Sequence, residues 1–146
     1  MHDHCYQQVQ GSKMRVMQKY SCPLCRTPFP NNGKESLPHL RKWVKAGKPW
    51  AMAMLGGLYC EGNGVERNEK LGFKFYMMSA RRGFDNGCFN VAACYSTGRG
   101  PLDEKINLTK CLEWMRKAAD KGHVGGIEQL PRIEKHVKNL KEKLAA

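Results

Sequence analysis

The sequence predicts an all-α fold, a short α-solenoid of stacked helical hairpins behind a small irregular N-terminal segment. Three observations carry that prediction. First, apolar and small residues recur at helical spacing in paired segments separated by glycine-rich turns. In residues 49–84, Ala51, Leu55, Gly56 and Tyr59 share a face, and EGNGVERN then breaks the pattern. Leu71, Gly72, Phe75, Tyr76, Ser79 and Ala80 resume it until Gly83. Second, the pair repeats. Tyr59 and Tyr95, Gly62 and Gly98, and Leu55 and Val91 are each 36 residues apart. Phe75 and Trp114, Ala80 and Ala119, and Gly83 and Gly122 are each 39 apart. Third, the three extra residues fall in a turn, GRGPLDEKIN, where a repeat array tolerates changes of length.

The totals set outer bounds. At 146 residues and 41% hydrophobic content, the chain suits one ordinary domain or a short array. No run of about eighteen apolar residues is present, so no membrane-spanning helix is expected. The start, MHDHCYQQVQGSK, has no apolar centre of the kind a secretory signal needs, so an intracellular protein, cytoplasmic or nuclear, is expected. Of seven cysteines, Cys60, Cys88, Cys94 and Cys111 sit inside the helical pattern. That distribution fits reduced thiols with a separate metal site better than a disulfide framework.

The net charge of +12 is uneven: residues 1–48 carry nine Lys and Arg against two acids, and residues 49–124 carry eleven against eight. An acidic or nucleic-acid partner for the N-terminal third and a plain solvated basic surface are both compatible with that excess. No nucleic-acid recognition helix or aromatic-studded sheet motif accompanies it.

Residues 1–30 form the first unit. Three prolines, at 23, 28 and 30, exclude a helix there. Cys22-Pro-Leu-Cys25 places two thiolates three positions apart on a tight turn, close enough to share one tetrahedral zinc. Two further ligands are then needed, and Cys5 with His2, or His4 in place of His2, are the nearest candidates. CPLCRTPFP resembles the closing half of a RING-type zinc finger, through Cys22, Pro23, Cys25, Arg26 and Pro28. A complete finger of that kind uses eight ligands around two zincs and binds a ubiquitin-conjugating enzyme. Here the chain starts too late for the first ligand pair, and Gln8 stands where another ligand would follow Cys5. The resemblance therefore implies a truncated, zinc-finger-like segment with at most one zinc ion.

NNGKES, residues 31–36, reads as a linker. Leu37, Leu40, Trp43, Val44 and Gly47 then give a short helix ended by glycine, and residues 37–48 read as the second half of an incomplete repeat that caps the array. A repeat over 49–84, a repeat over 85–123 and the start of a third to residue 130 follow. Asn68 and Asn107 stand where each second helix needs an N-cap. Trp114 is expected in the core. Pro131 is expected to break or restart the last helix, leaving 131–146 as a C-terminal cap with Val137, Leu140 and Leu144 on its apolar stripe.

LGGLYCEGNGV (55–65) and KCLEWMRKAADKG (110–122) resemble the Sel-1-like repeat, a relative of tetratricopeptide arrays. Leu55, Gly56, Tyr59, Gly62, Gly64 and Val65 match its first half. Lys110, Trp114, Ala118, Ala119 and Gly122 match its second. The resemblance implies an α-solenoid that acts as a protein–protein interaction scaffold and is not an enzyme. Stacked hairpins expose a face of first helices to a partner protein, and Trp50, Met54 and Leu58 are the candidate contacts there. A different possibility is a fragment of a RING-type ubiquitin-protein ligase whose repeats recruit substrate. No nucleophile motif surrounds the histidines, Pro28 and Pro30 oppose the helix that a redox Cys22/Cys25 pair requires, and GNG and GRG lack the Lys-Ser/Thr of a phosphate loop.

Overall fold

A computed structural model describes residues 33–100 and 105–146. Among these there are six helices and no strand: α1 Gly33–Lys45, α2 Pro49–Glu61, α3 Glu69–Arg81, α4 Asp85–Thr97, α5 Leu108–Asp120 and α6 Val124–Ala145. Each helix packs against the next in the chain, and α2 also touches α4 directly. Hairpin α2–α3 is thus followed by hairpin α4–α5, with first helices side by side in one layer. The N-terminal zinc-finger-like segment lies outside the described residues.

The repeat is visible in individual hydrogen bonds. The Asn68 N–H donates to the Tyr59 carbonyl at 2.8 Å, and Asn107 donates to Tyr95 at 2.9 Å. Each closes its hairpin at the same point. The side chain of Asn68 accepts from the Leu71 N–H, and that of Asn107 from Lys110, so both expected N-caps form. After the second helices, Phe84 donates to Ser79 and His123 to Ala118; Lys48 makes the equivalent bond to Trp43 after α1. By this measure α1 ends as a second helix does. Gly83 and Gly122, at φ 81° and 85°, supply the left-handed residue that lets the chain turn out of α3 and α5.

Two apolar clusters hold the stack together. One joins Tyr76, Cys88, Val91, Ala92, Cys111, Met115 and Ala118 across α3, α4 and α5. The other joins Leu40, Trp50, Ala51, Ala53 and Phe84 across α1, α2 and the start of α4. Gly56 and Gly72 mark the closest approach of α2 and α3. A methyl on Gly56 would lie 2.9 Å from the Gly72 carbonyl oxygen, and one on Gly72 would lie 2.8 Å from that of Gly56.

Three local expectations need correction. Helix α1 starts at Gly33, inside the stretch read as linker, and contains Pro38. Pro38 leaves only the Lys34 carbonyl without its helical donor, and Lys34 is exposed to water. Helix α6 runs unbroken through Pro131. There the carbonyl deprived of a partner belongs to Ile127, and both residues are exposed, so solvent can serve it. Trp114 is only half-buried, with the Lys117 ammonium 4.0 Å from its ring centroid. The neighbouring Met115, 2% exposed, occupies the interior of α5.

Candidate protein-binding surface

Helix α2 carries the three candidate contacts, and the structure sends them in three directions. Met54 is 41% exposed. Leu58 is half-buried against the cluster around Trp50. Trp50 is 4% exposed and belongs to the core, which corrects the expectation that it lies open on the surface. Its ring packs 6.0 Å from that of Trp43 on α1, the half-repeat that covers it. Trp43 in turn donates from its indole N–H to His39 Nε2 at 3.0 Å.

The 36-residue offset carries Trp50 and Met54 onto Asn86 and Asn90 of α4, the helix beside α2 in the same layer. Asn86 is exposed and Asn90 half-exposed. The middle of the first-helix layer thus exposes one adaptable thioether on α2 and, on α4, an amide pair in which Asn90 Nδ2 donates to Asn86 Oδ1. Sequence reasoning missed these asparagines because it compared apolar positions, and the repeat offset applied to Met54 was the signal that finds them. Such a surface offers apolar contact from methionine and hydrogen bonds from amides, suited to a peptide or protein face.

The cysteines of the helical body are not arranged for reactivity. Burial pushes the Cys94 thiol up to about 12, and raises Cys60, Cys88 and Cys111 above their ordinary value. Burial likewise raises Tyr76. All four thiols are free, and among the described residues no three His, Cys, Asp or Glu side chains come together as a metal site would need. The metal candidates Cys22, Cys25, Cys5 and His2 lie outside the described residues. No helix among them is long and apolar enough to cross a membrane.

One titratable group is built into the architecture. His123 Nδ1 accepts from the Gly126 N–H at 3.1 Å and so caps α6. Its ring stacks on Phe89 at 4.4 Å. Burial holds its pKa below the ordinary 6.5, against a smaller upward pull from Asp85.

Comparison with known proteins places this architecture. The family described as Sel1 repeat matches residues 51–84 and 86–123. A crystal structure of a Sel1 repeat protein from Oxalobacter formigenes superposes with a TM-score of 0.61 at 28% identity, covering 67% of this chain and 39% of that one. The protective antigen c5321 of uropathogenic Escherichia coli strains, which displays an SLR fold, superposes with a TM-score of 0.63 at 30% identity. That match covers 69% of this chain and 21% of the antigen, so the chain spans well under half of either solved protein. No curated protein matches it. The matched residues form two Sel1 repeats, and on them the chain is a Sel1 repeat protein with an all-α SLR fold.

Proposed function

We propose that the chain is a non-enzymatic scaffold that binds another protein through the layer formed by α2 and α4. The observation that carries this reading is the exposed Met54 beside Asn86 and Asn90 on adjacent first helices. Raised thiol pKa values in the helical body support a binding role over thiol chemistry. Proteins co-purifying with the full chain from its native host test the proposal. Met54→Asp should remove at least one specific partner while leaving the melting curve intact. An unchanged partner set refutes it.

The N-terminal segment is proposed to hold a single zinc ion through Cys22 and Cys25, with Cys5 and His2 completing the tetrahedron. The motif CPLCRTPFP also supports a second reading, a fragment of a RING-type ubiquitin ligase that would engage a ubiquitin-conjugating enzyme while the repeats recruit substrate. Zinc content of the purified full chain, compared with Cys22→Ser, separates zinc from no zinc. Metal-free protein in both cases refutes the zinc site of this segment, whereas the ligase reading is tested by whether the reading frame upstream of Met1 encodes the missing Cys-x-x-Cys pair, whose absence refutes it.

A further inference from the structure

The turns that follow α1, α3 and α5 lie in succession along one edge of the stack. Ser79 Oγ near the end of α3 donates to the Pro49 carbonyl at the start of α2, at 2.7 Å, joining the first two turns. A methyl on Gly83 would lie 3.4 Å from Lys121 Nζ, so the Lys121 side chain reaches from the third turn to the second. Each turn brings two exposed cations to this edge: Lys42 and Lys45, Arg81 and Arg82, Lys117 and Lys121. The acids nearby are Asp85, half-buried at the start of α4, and Asp120. None of the six cations forms an ion pair with another described residue. The opposite edge is mixed. Over residues 61–70, Glu61, Glu66 and Glu69 stand against Arg67 and Lys70, and Arg67 is ion-paired to Glu69.

Cations at helix C-termini compensate the helix dipole, and part of this pattern serves that purpose. Six against two on one edge exceeds it. The edge also ends on an unpartnered aliphatic pair, Val124 and Ile127 at the start of α6. One and two repeats earlier, the position of Ile127 is held by Cys88 and Met52. Each of those is 1% exposed, whereas Ile127 is 53% exposed.

We propose that this edge docks an acidic, extended segment of a partner protein, with carboxylates over the three cationic turns and an aliphatic side chain against Val124 and Ile127. Two steps of helix spacing make about 20 Å, or roughly six extended residues, between the outer turns. A protein segment fits better than a nucleic acid. Among the described residues the edge offers no open aromatic face for base stacking: Phe84 is buried, Phe89 and His123 are stacked on each other, and the half-buried Trp43 and Trp114 have the Lys42 and Lys117 ammonium groups over their rings. Turns also project no helix into a duplex groove. A membrane surface fits less well because two aliphatic residues at one end make no apolar face.

The inference rests on the protein-binding reading but uses a different face from Met54, so the two can fail separately. The test is fluorescence anisotropy on the full chain with a labelled Glu/Asp-rich peptide of about twelve residues ending in Leu-Leu. The triple variant Arg81→Glu/Arg82→Glu/Lys121→Glu should weaken binding about tenfold or more and flatten its salt dependence. A control of equal charge change, Lys74→Glu/Lys105→Glu/Lys141→Glu, should change it less than about threefold. Ile127→Ser should weaken the Leu-Leu peptide and leave an Ala-Ala version unaffected. If the triple variant melts early, the milder Arg82→Gln/Lys121→Gln pair should still show a larger loss than Lys74→Gln/Lys105→Gln. Equal losses at edge and control positions overturn the proposal. So does tighter edge-dependent binding of a single-stranded oligonucleotide or of phosphatidylserine vesicles.

Discussion

Gly56 and Gly57 are neighbours in one helix with the same intrinsic cost, yet alanine should act on them with opposite signs. Replacing a helix-interior glycine by alanine gains about 1 kcal/mol from backbone propensity alone. At Gly57 the new methyl would meet only the Tyr76 hydroxyl, at 3.4 Å, an ordinary contact. The propensity gain should survive there, and Gly57→Ala should stabilise by about 0.5–1 kcal/mol. At Gly56 the methyl would fall 2.8 Å from Tyr76 Cδ1 and 2.9 Å from the Gly72 carbonyl oxygen. One is a buried ring and the other is backbone, so neither yields cheaply. Overpacking of this kind costs about 1–3 kcal/mol, which cancels or exceeds the propensity gain. The two variants should therefore differ by about 1–3 kcal/mol, or several degrees in melting temperature. Repeat two supplies an internal comparison. The residue equivalent to Gly56 is Ala92, buried without trouble, and the residue equivalent to Tyr76 is the flexible Met115. Tyr76→Met should accordingly recover part of the Gly56→Ala loss in a double-mutant cycle. Thermal and urea denaturation followed by circular dichroism reads the wild type and all four variants. Equal stabilisation by both alanines would mean that α2 and α3 do not cross where the structure has them.

Met115→Ala should cost about 2–5 kcal/mol in urea denaturation, and Trp114→Ala clearly less despite the larger side chain; the reverse order would put α5 in the wrong rotation. His123 should make stability pH-dependent. Its pKa is lowered in the native state, so the unfolded chain binds the proton more readily. The stability it contributes is complete above about pH 6.5 and is lost as pH falls from there towards the lowered native value. Melting temperatures between about pH 7.5 and 5.5 should fall for the wild type and fall less for His123→Asn, which keeps a capping acceptor; identical slopes would remove His123 from the account. Alkylation of the native chain near pH 8, mapped by peptide mass spectrometry, should spare Cys88, Cys94 and Cys111 and modify Cys60 slowly, with all four reacting on unfolding; rapid native labelling of Cys94 would contradict its burial.

Much of the fold was legible because the repeat offsets tie distant residues to one another. Tyr59 and Tyr95, and Asn68 and Asn107, fall at equivalent places and make equivalent hydrogen bonds. Direction within a helix was harder to read. PWAMAMLGGLYC is apolar or small on almost every face, so periodicity could not show that Trp50 turns inward while Met54 turns outward. Trp114 and Met115 are consecutive apolar residues, and a rotation of about 100°, one residue of helix, exchanges them. Pro131 misled because the rule against proline inside helices prices a lost hydrogen bond, and solvent exposure lowers that cost. The candidate site was legible only in part. The sequence names Met54, which the structure leaves exposed, but Asn86 and Asn90 depend on α2 and α4 lying side by side, a tertiary fact that no local pattern states.

The central claim is that the layer of α2 and α4 receives a protein partner. Photo-crosslinking inside the native host tests it most directly, with a benzophenone amino acid placed at position 54, at position 90, or at the exposed Lys74 on α3. The account predicts the same partner joined from positions 54 and 90 and none from position 74. A partner captured equally from all three positions, or from position 74 alone, would contradict it.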